Sequence, residues 1–137
     1  MSVAELRDVG KFLKTVAGIN PTNSTGGTIN GSAIDRTGFE SCVLHAAAGA
    51  ATGAPTAQSV TAKLQESADG STGWADITGA AITAITADNG AAEVDVDLSG
   101  VKQYIRVVVT VSLTGGTTPA IPVASAVALG GAVEVPA

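Results

Sequence analysis

The sequence predicts an all-β protein: an antiparallel β-sandwich or jelly roll preceded by an extended N-terminal arm. Three observations carry this. Apolar residues alternate with polar ones at several places, cleanest where Val94, Val96 and Leu98 interleave with Glu93, Asp95 and Asp97. Turn signals such as Asp69-Gly70, Asp88-Asn89-Gly90 and Ser99-Gly100 separate these runs. Helical periodicity is almost absent, and the runs sum to about seven or eight strands, as in sandwiches and jelly rolls.

Taken in order, Ser2 to Val9 opens with either a short helix or an extended arm. Ser2 and Glu5 have capping-box spacing, but Gly10 cuts a helix short. The arm is the favoured reading, with Lys11 to Val16 as its strand. Gly18 to Gly31 reads as a loop, because Gly, Asn, Thr and Pro dominate it. The division is therefore residues 1–31 as arm and polar loop, and 32–137 as the sandwich domain.

Phe39 to Ala48 is a strand, mostly apolar on both faces, with Ser41 and His45 among the exceptions, which suits the middle of a sheet. Gly49 to Pro55 connects it to a hairpin from Val60 to Ile77. Val60, Ala62 and Leu64 face inward there, and Asp69-Gly70 begins a turn that Ser71, Thr72 and Gly73 lengthen. Alternation puts Trp74 and Ile77 on opposite faces, so either a bulge separates them or Trp74 caps the sheet edge. As the only Trp, Trp74 is expected to be largely buried. Its truncation to alanine would then cost ~3–5 kcal/mol. Ile82 to Ala87 is the next strand. Ile105, Val107, Val109 and Val111 form another inward face, opposite Tyr104, Arg106, Val108 and Thr110. A loop from Gly115 to Pro122 precedes a last strand carrying Val123, Val127 and Leu129, which Gly130-Gly131 ends.

The chain of 137 residues suffices for one core. No run approaches the ~18 apolar residues of a membrane span. Glu5, Arg7 and Asp8 stand where an export signal would be basic and then apolar. Charged residues make up 14% of the chain, against ~25% in ordinary domains. The surface is thus smooth and weakly charged, suited to packing against protein. A net charge of −5 with seven scattered Lys and Arg argues against nucleic-acid binding.

Candidate chemistry is sparse. Asp95, Asp97 and Ser99 mimic the start of a calcium loop, but Arg106 stands where its closing Glu belongs. His45 is the only histidine, without a nucleophile elbow to serve. Cys42, also alone, reads as a small buried hydrophobe. The Gly-rich stretches lack the Lys-Ser/Thr ending of a phosphate loop. Asn23-Ser-Thr25 and Asn30-Gly-Ser32 match glycosylation sequons by composition. No metal, cofactor or enzymatic activity is expected. Arg106 beside Tyr104 is either an interface anchor or a cross-strand partner of Asp95 or Asp97.

Three segments together carry a resemblance: Phe39-Glu-Ser-Cys-Val-Leu-His45, then Val60 to Gly70 with Trp74-Ala-Asp-Ile77, then Lys102-Gln-Tyr-Ile-Arg-Val-Val-Val109. Their order over residues 39–112 resembles capsid decoration or cement proteins of tailed bacteriophages. The resemblance implies several copies on the outside of a capsid, made in the bacterial host cytoplasm and bound to the major capsid protein and to neighbouring copies. It implies no enzymatic activity and no nucleic-acid or membrane partner. Protein-contact candidates are Lys11, Phe12 and Lys14 in the arm, and Tyr104 and Arg106. Two alternatives stand beside it. Glu66 to Trp74 and Tyr104-Ile-Arg-Val107 also look like stretches of discoidin-type, carbohydrate-binding jelly rolls, and a neck or tail component of the same viruses has the same signature.

Overall fold

The computed structural model describes residues 7–133. Residues 1–6, which hold most of the expected N-terminal helix or arm, lie outside the described residues. The first element is a 3-10 turn at Val9–Lys11, closed by Phe12 N–H donating to Val9 O at 2.9 Å. It occupies part of the expected Lys11–Val16 strand, which therefore starts later, at Lys14.

The strands among the described residues are β1 (Lys14–Ser24), β2 (Gly27–Asn30), β3 (Ile34–Asp35), β4 (Phe39–Ala48), β5 (Ala57–Ser67), β6 (Ala75–Ala81), β7 (Ala91–Asp97), β8 (Tyr104–Thr114) and β9 (Ile121–Ala132). They form two sheets. The first has the order β1-β9-β4-β7, and the second β2-β8-β5-β6 with β3 also on β8. Every pairing is antiparallel. Counting β2 and β3 as one interrupted strand, sequence neighbours repeatedly fall in opposite sheets, which is the double Greek key of a jelly roll.

The alternating pattern explains the core. Leu44 on β4, Val96 on β7 and Val127 and Leu129 on β9 meet Val60 and Leu64 on β5 and Ile105, Val107 and Val109 on β8. Leu44, Leu64, Leu98 and Val107 are wholly buried. Each such side chain contributes ~1.5–3 kcal/mol by leaving water. The other inward positions mix Ile19, Ile34, Ile82, Ile85 and Ile121 with smaller Val and Ala side chains.

Three expectations are corrected. Gly18 to Gly31 is not a loop: β1 runs on to Ser24 and β2 follows from Gly27. Its Asn, Thr and Pro residues sit mostly at exposed positions of edge strands, so composition imitates a loop. The chain crosses between sheets at Gly26 and Gly27, with φ of 116° and 105°, a region glycine enters without strain. Both strands belong to the sheets although they precede the expected boundary at residue 31.

Ile82 to Ala87 is not a strand either. The pairing strand is β6, immediately before it, and beyond β6 only Ile85 makes a bridge, to Val60. Register slips between the Gln65–Asp76 and Lys63–Ala81 pairs, with Gly79 at φ 79° inside the slip. The run still buries Ile82 and Ile85, so its apolar character serves packing without a full ladder. Lastly, β9 extends through Gly130-Gly131 to Ala132.

Candidate functional site

The large polar and aromatic side chains converge on the outer face of the second sheet. On β8, Tyr104 and Arg106 point away from the core because Ile105 and Val107 point into it. Arg106 faces Gln65 across the β5–β8 ladder and donates from Nε and Nη2 to its Oε1, at 3.0 and 2.8 Å. Gln65 Nε2 in turn donates to Asp76 Oδ1 at 2.9 Å. Lys63 Nζ reaches Asp76 Oδ2 at 3.0 Å. These bonds hold the Asp76 carboxyl below its usual range, the Gln65 amide being the largest cause and Lys63 the next.

Trp74 completes the cluster. The Arg106 guanidinium lies 4.5 Å from its ring centroid, a cation–π contact. The expectation of a largely buried Trp74 is corrected: the residue is half-buried and lies outside the core. It precedes β6 with the parity of Asp76, so it faces outward, while Ile77 packs partly against the core. Alternation alone separates the two, and the register slip comes later in the strand.

The turn between β5 and β6 braces this cluster. Asp69 Oδ1 accepts from the N–H groups of Ser71 and Thr72, both at 2.9 Å, and Oδ2 from the Thr72 hydroxyl at 2.8 Å. The Thr72 N–H and then the Ser71 N–H hold the Asp69 carboxyl far below the ordinary range. Ser67, wholly buried, accepts from Gly70 N–H at 3.1 Å and donates to Thr72 O at 2.5 Å. Gly70, at φ 76°, lies under the Tyr104 ring: a Cβ there would stand 3.0 Å from Tyr104 Cγ. The turn therefore packs closely against the Tyr104 ring.

The N-terminal candidates lie elsewhere. Lys11 pairs with Asp8 at 3.0 Å on an exposed turn, Phe12 follows half-buried, and Lys14 starts β1 in the first sheet. Tyr104 and Arg106 belong to the second sheet, so the five candidates do not form one site. Pairing of Arg106 with Asp95 or Asp97 is corrected as well, because those residues are on β7 of the opposite sheet and Gln65 takes their place. Sequence reading missed Gln65, Asp76 and Lys63. The signal was present: β5 alternates, so Lys63 and Gln65 share the face opposite Leu64.

The first sheet's outer face carries rows of alanine between a few larger side chains. Ala124, Ala126 and Ala128 of β9 lie beside Ala47, His45 and Val43 of β4, and Ala91, Glu93 and Asp95 of β7 complete the rows. A hollow of about 540 Å³ opens there, with Leu13, Val43, Ala128 and Asp95 among its walls. His45 is exposed. Cys42 points into the core, and burial pushes its thiol up to about 11. Among the described residues no group of three His, Cys, Asp or Glu is placed to hold a metal ion.

No family model matches the chain, and no curated protein matches it in sequence. Among solved structures it is similar to a chain of infectious bursal disease virus, Gx strain, at 12% identity and a TM-score of 0.55, covering 90% of this chain and 34% of that one. It is also similar to the VP2 subviral particle of infectious bursal disease virus, at 12% identity and a TM-score of 0.50, over 85% of this chain and 32% of that one. SPBc2 prophage-derived protein YomS matches at 12% identity and a TM-score of 0.44, over 85% of this chain and 92% of its own. The chain thus spans about a third of the length of the virus chains it matches. At such identity the likeness to the virus chains is one of fold: a two-sheet antiparallel sandwich.

Proposed function

We propose that this chain is a structural protein of a virus particle, of the decoration or cement kind, which binds the outside of a phage capsid and braces contacts between major capsid subunits without catalysing a reaction. One observation carries the reading. Trp74, Tyr104 and Arg106, the residue types that dominate protein–protein hot spots, gather on one outer sheet face of a chain otherwise poor in large side chains. The sandwich shared with virus-particle chains supports it, as does the low charge of the surface.

The mechanism is mechanical. A copy that binds the assembled lattice and not free subunits stabilises the lattice by mass action. Many equal sites make weak attachment strong in aggregate. The test compares particles with and without the protein under a thermal ramp, with DNA release as readout. Earlier release without the protein is expected, and Arg106→Ala should occupy fewer sites. Equal robustness of bare particles refutes the reading.

A carbohydrate-binding module is the second reading, favoured by half-exposed Trp74 with polar Gln65 and Asp76 beside it. A sugar stacks on a ring face, and Arg106 already covers one face of this ring. Binding on a glycan array that Trp74→Ala abolishes would favour it over the capsid role.

A further inference from the structure

A jelly roll of two open sheets has four edges, and three of them are blunted here. Strand β1 carries Pro21 and two register shifts. Strand β6 carries the register slip near Gly79. Strands β2 and β3 are short and interrupted. These are the usual guards against strand addition. Strand β7 has no proline, bulge or break, and only the charges of Glu93, Asp95 and Asp97 guard it: it pairs with β4 in unbroken register from Ala91 to Asp97, and among the described residues no strand pairs with its other side.

The ladder fixes what that side offers. Ala48 N–H donates to Gly90 O and Leu98 N–H to Glu40 O, both at 2.9 Å. In an antiparallel pair, bonded residues alternate with those whose N–H and C=O turn away. Ala92, Val94 and Val96 therefore bond to β4. Glu93, Asp95 and Asp97 present their backbone groups to the open side, and their exposed side chains line the sheet's outer face. On the inner face Ala92 and Val94 are only partly buried, so an apolar strip at this edge is incompletely covered.

We infer that β7 is a strand-addition site for an extended segment of a partner protein in which Lys or Arg alternates with apolar residues. Residues opposite Glu93, Asp95 and Asp97 share their face, so opposite charge is favoured there. The intervening residues extend the inner face over Ala92 and Val94. A second copy docking through its own β7 sets like charges against each other, which disfavours that occupant. Main-chain bonds supply affinity and the alternating side chains supply specificity. This site is on the sheet opposite Trp74 and Arg106, so the inference stands apart from the proposed capsid role.

The probe is a capped peptide alternating Lys with Val and Thr, followed by amide hydrogen exchange. Bound peptide should slow exchange at Glu93 and Asp95 by ~10-fold or more, and added salt should weaken it. Asp95→Pro removes only an outward N–H, a change edge strands tolerate, and should abolish binding. If that variant does not fold, charge reversal at the three acids (E93K, D95K and D97K together) decides. It should lose the Lys peptide and bind one alternating Glu with Val and Thr. Absence of binding, protection elsewhere in the chain, or equal binding to folded Asp95→Pro overturns the inference. So does protection of Glu93 and Asp95 by protein concentration alone, which would assign the edge to a second copy.

Discussion

Gly31→Ala tests whether the segment that composition marks as a loop is a packed part of the sandwich. Gly31 follows β2, and its N–H donates to Val107 O at 2.7 Å. A Cβ at Gly31 would stand 3.0 Å from that same oxygen and would collide with the Gly18 carbonyl oxygen of β1. Both obstacles are backbone atoms, so no rotamer change relieves them. Overpacking of this kind costs ~1–3 kcal/mol. Weakening the Gly31 hydrogen bond adds about 0.5–1.5 kcal/mol. The stiffer unfolded chain offsets ~0.4–1 kcal/mol. The net expectation is destabilisation by roughly 0.5–4 kcal/mol.

Urea unfolding followed by Trp74 fluorescence measures it, with Gly10→Ala as control, since a Cβ at Gly10 meets nothing within 4 Å. The control should stay within about 0.5 kcal/mol of the parent. A Gly31→Ala protein as stable as that control would mean that β1 and β2 do not meet as described, and the close packing of the two sheets at this corner would be wrong.

Other outcomes follow from the same structure. Trp74→Ala should cost less than a core aromatic would, ~1–3 kcal/mol, because the ring is half-buried, and Arg106→Ala should red-shift Trp74 emission by uncovering the ring. Cys42, buried and with its thiol raised to about 11, should react with a thiol reagent only as fast as the chain unfolds; rapid labelling of native protein would contradict its placement. Acid should destabilise the fold: Asp69, Asp88, Asp76 and Asp35 all have lowered folded values, so their contribution is full above the unfolded value of ~3.9 and is lost as pH falls through the folded ones. Asp69→Asn should make the fall in Tm below about pH 4 shallower, and an unchanged slope would discount the Asp69 turn.

The strands that sequence located well carry enough apolar residues to mark an inner face, by a nearly continuous run in β4 and by alternation in β7 and β8. Phe39–Ala48 coincides with β4, and Val94, Val96 and Leu98 face inward as their alternation requires. The edge strands β1 and β2 were illegible for the converse reason. In β1 and β2 most side chains meet water on both sides, so Asn, Thr and Gly fill them as they would fill a loop. Ile82 and Ile85 failed in another way, since burial does not require a complete ladder. Rarity and size suggest a buried Trp74, but parity decides its side: counting in steps of two from Asp76 puts it outside.

The sheets divide the surface by side-chain size, and that division is what a docking protein needs. Ile105 and Val107 fix β8 in the core, so Tyr104 and Arg106 must face out. Gln65, itself bonded to Asp76, then holds the guanidinium in place, and Ser67 with Asp69 builds the turn beneath the Tyr104 ring. Side chains held this way lose little freedom on meeting a partner, which lowers the cost of association. On the first sheet the outer rows of Ala leave little to immobilise, and the inferred recognition uses the backbone and charges of β7. On these two proposals one sandwich carries a rigid side-chain anchor on one face and a main-chain edge on the other. Loss of Arg106 should therefore leave peptide addition at β7 intact, and Asp95→Pro should leave attachment through Trp74 and Arg106 intact.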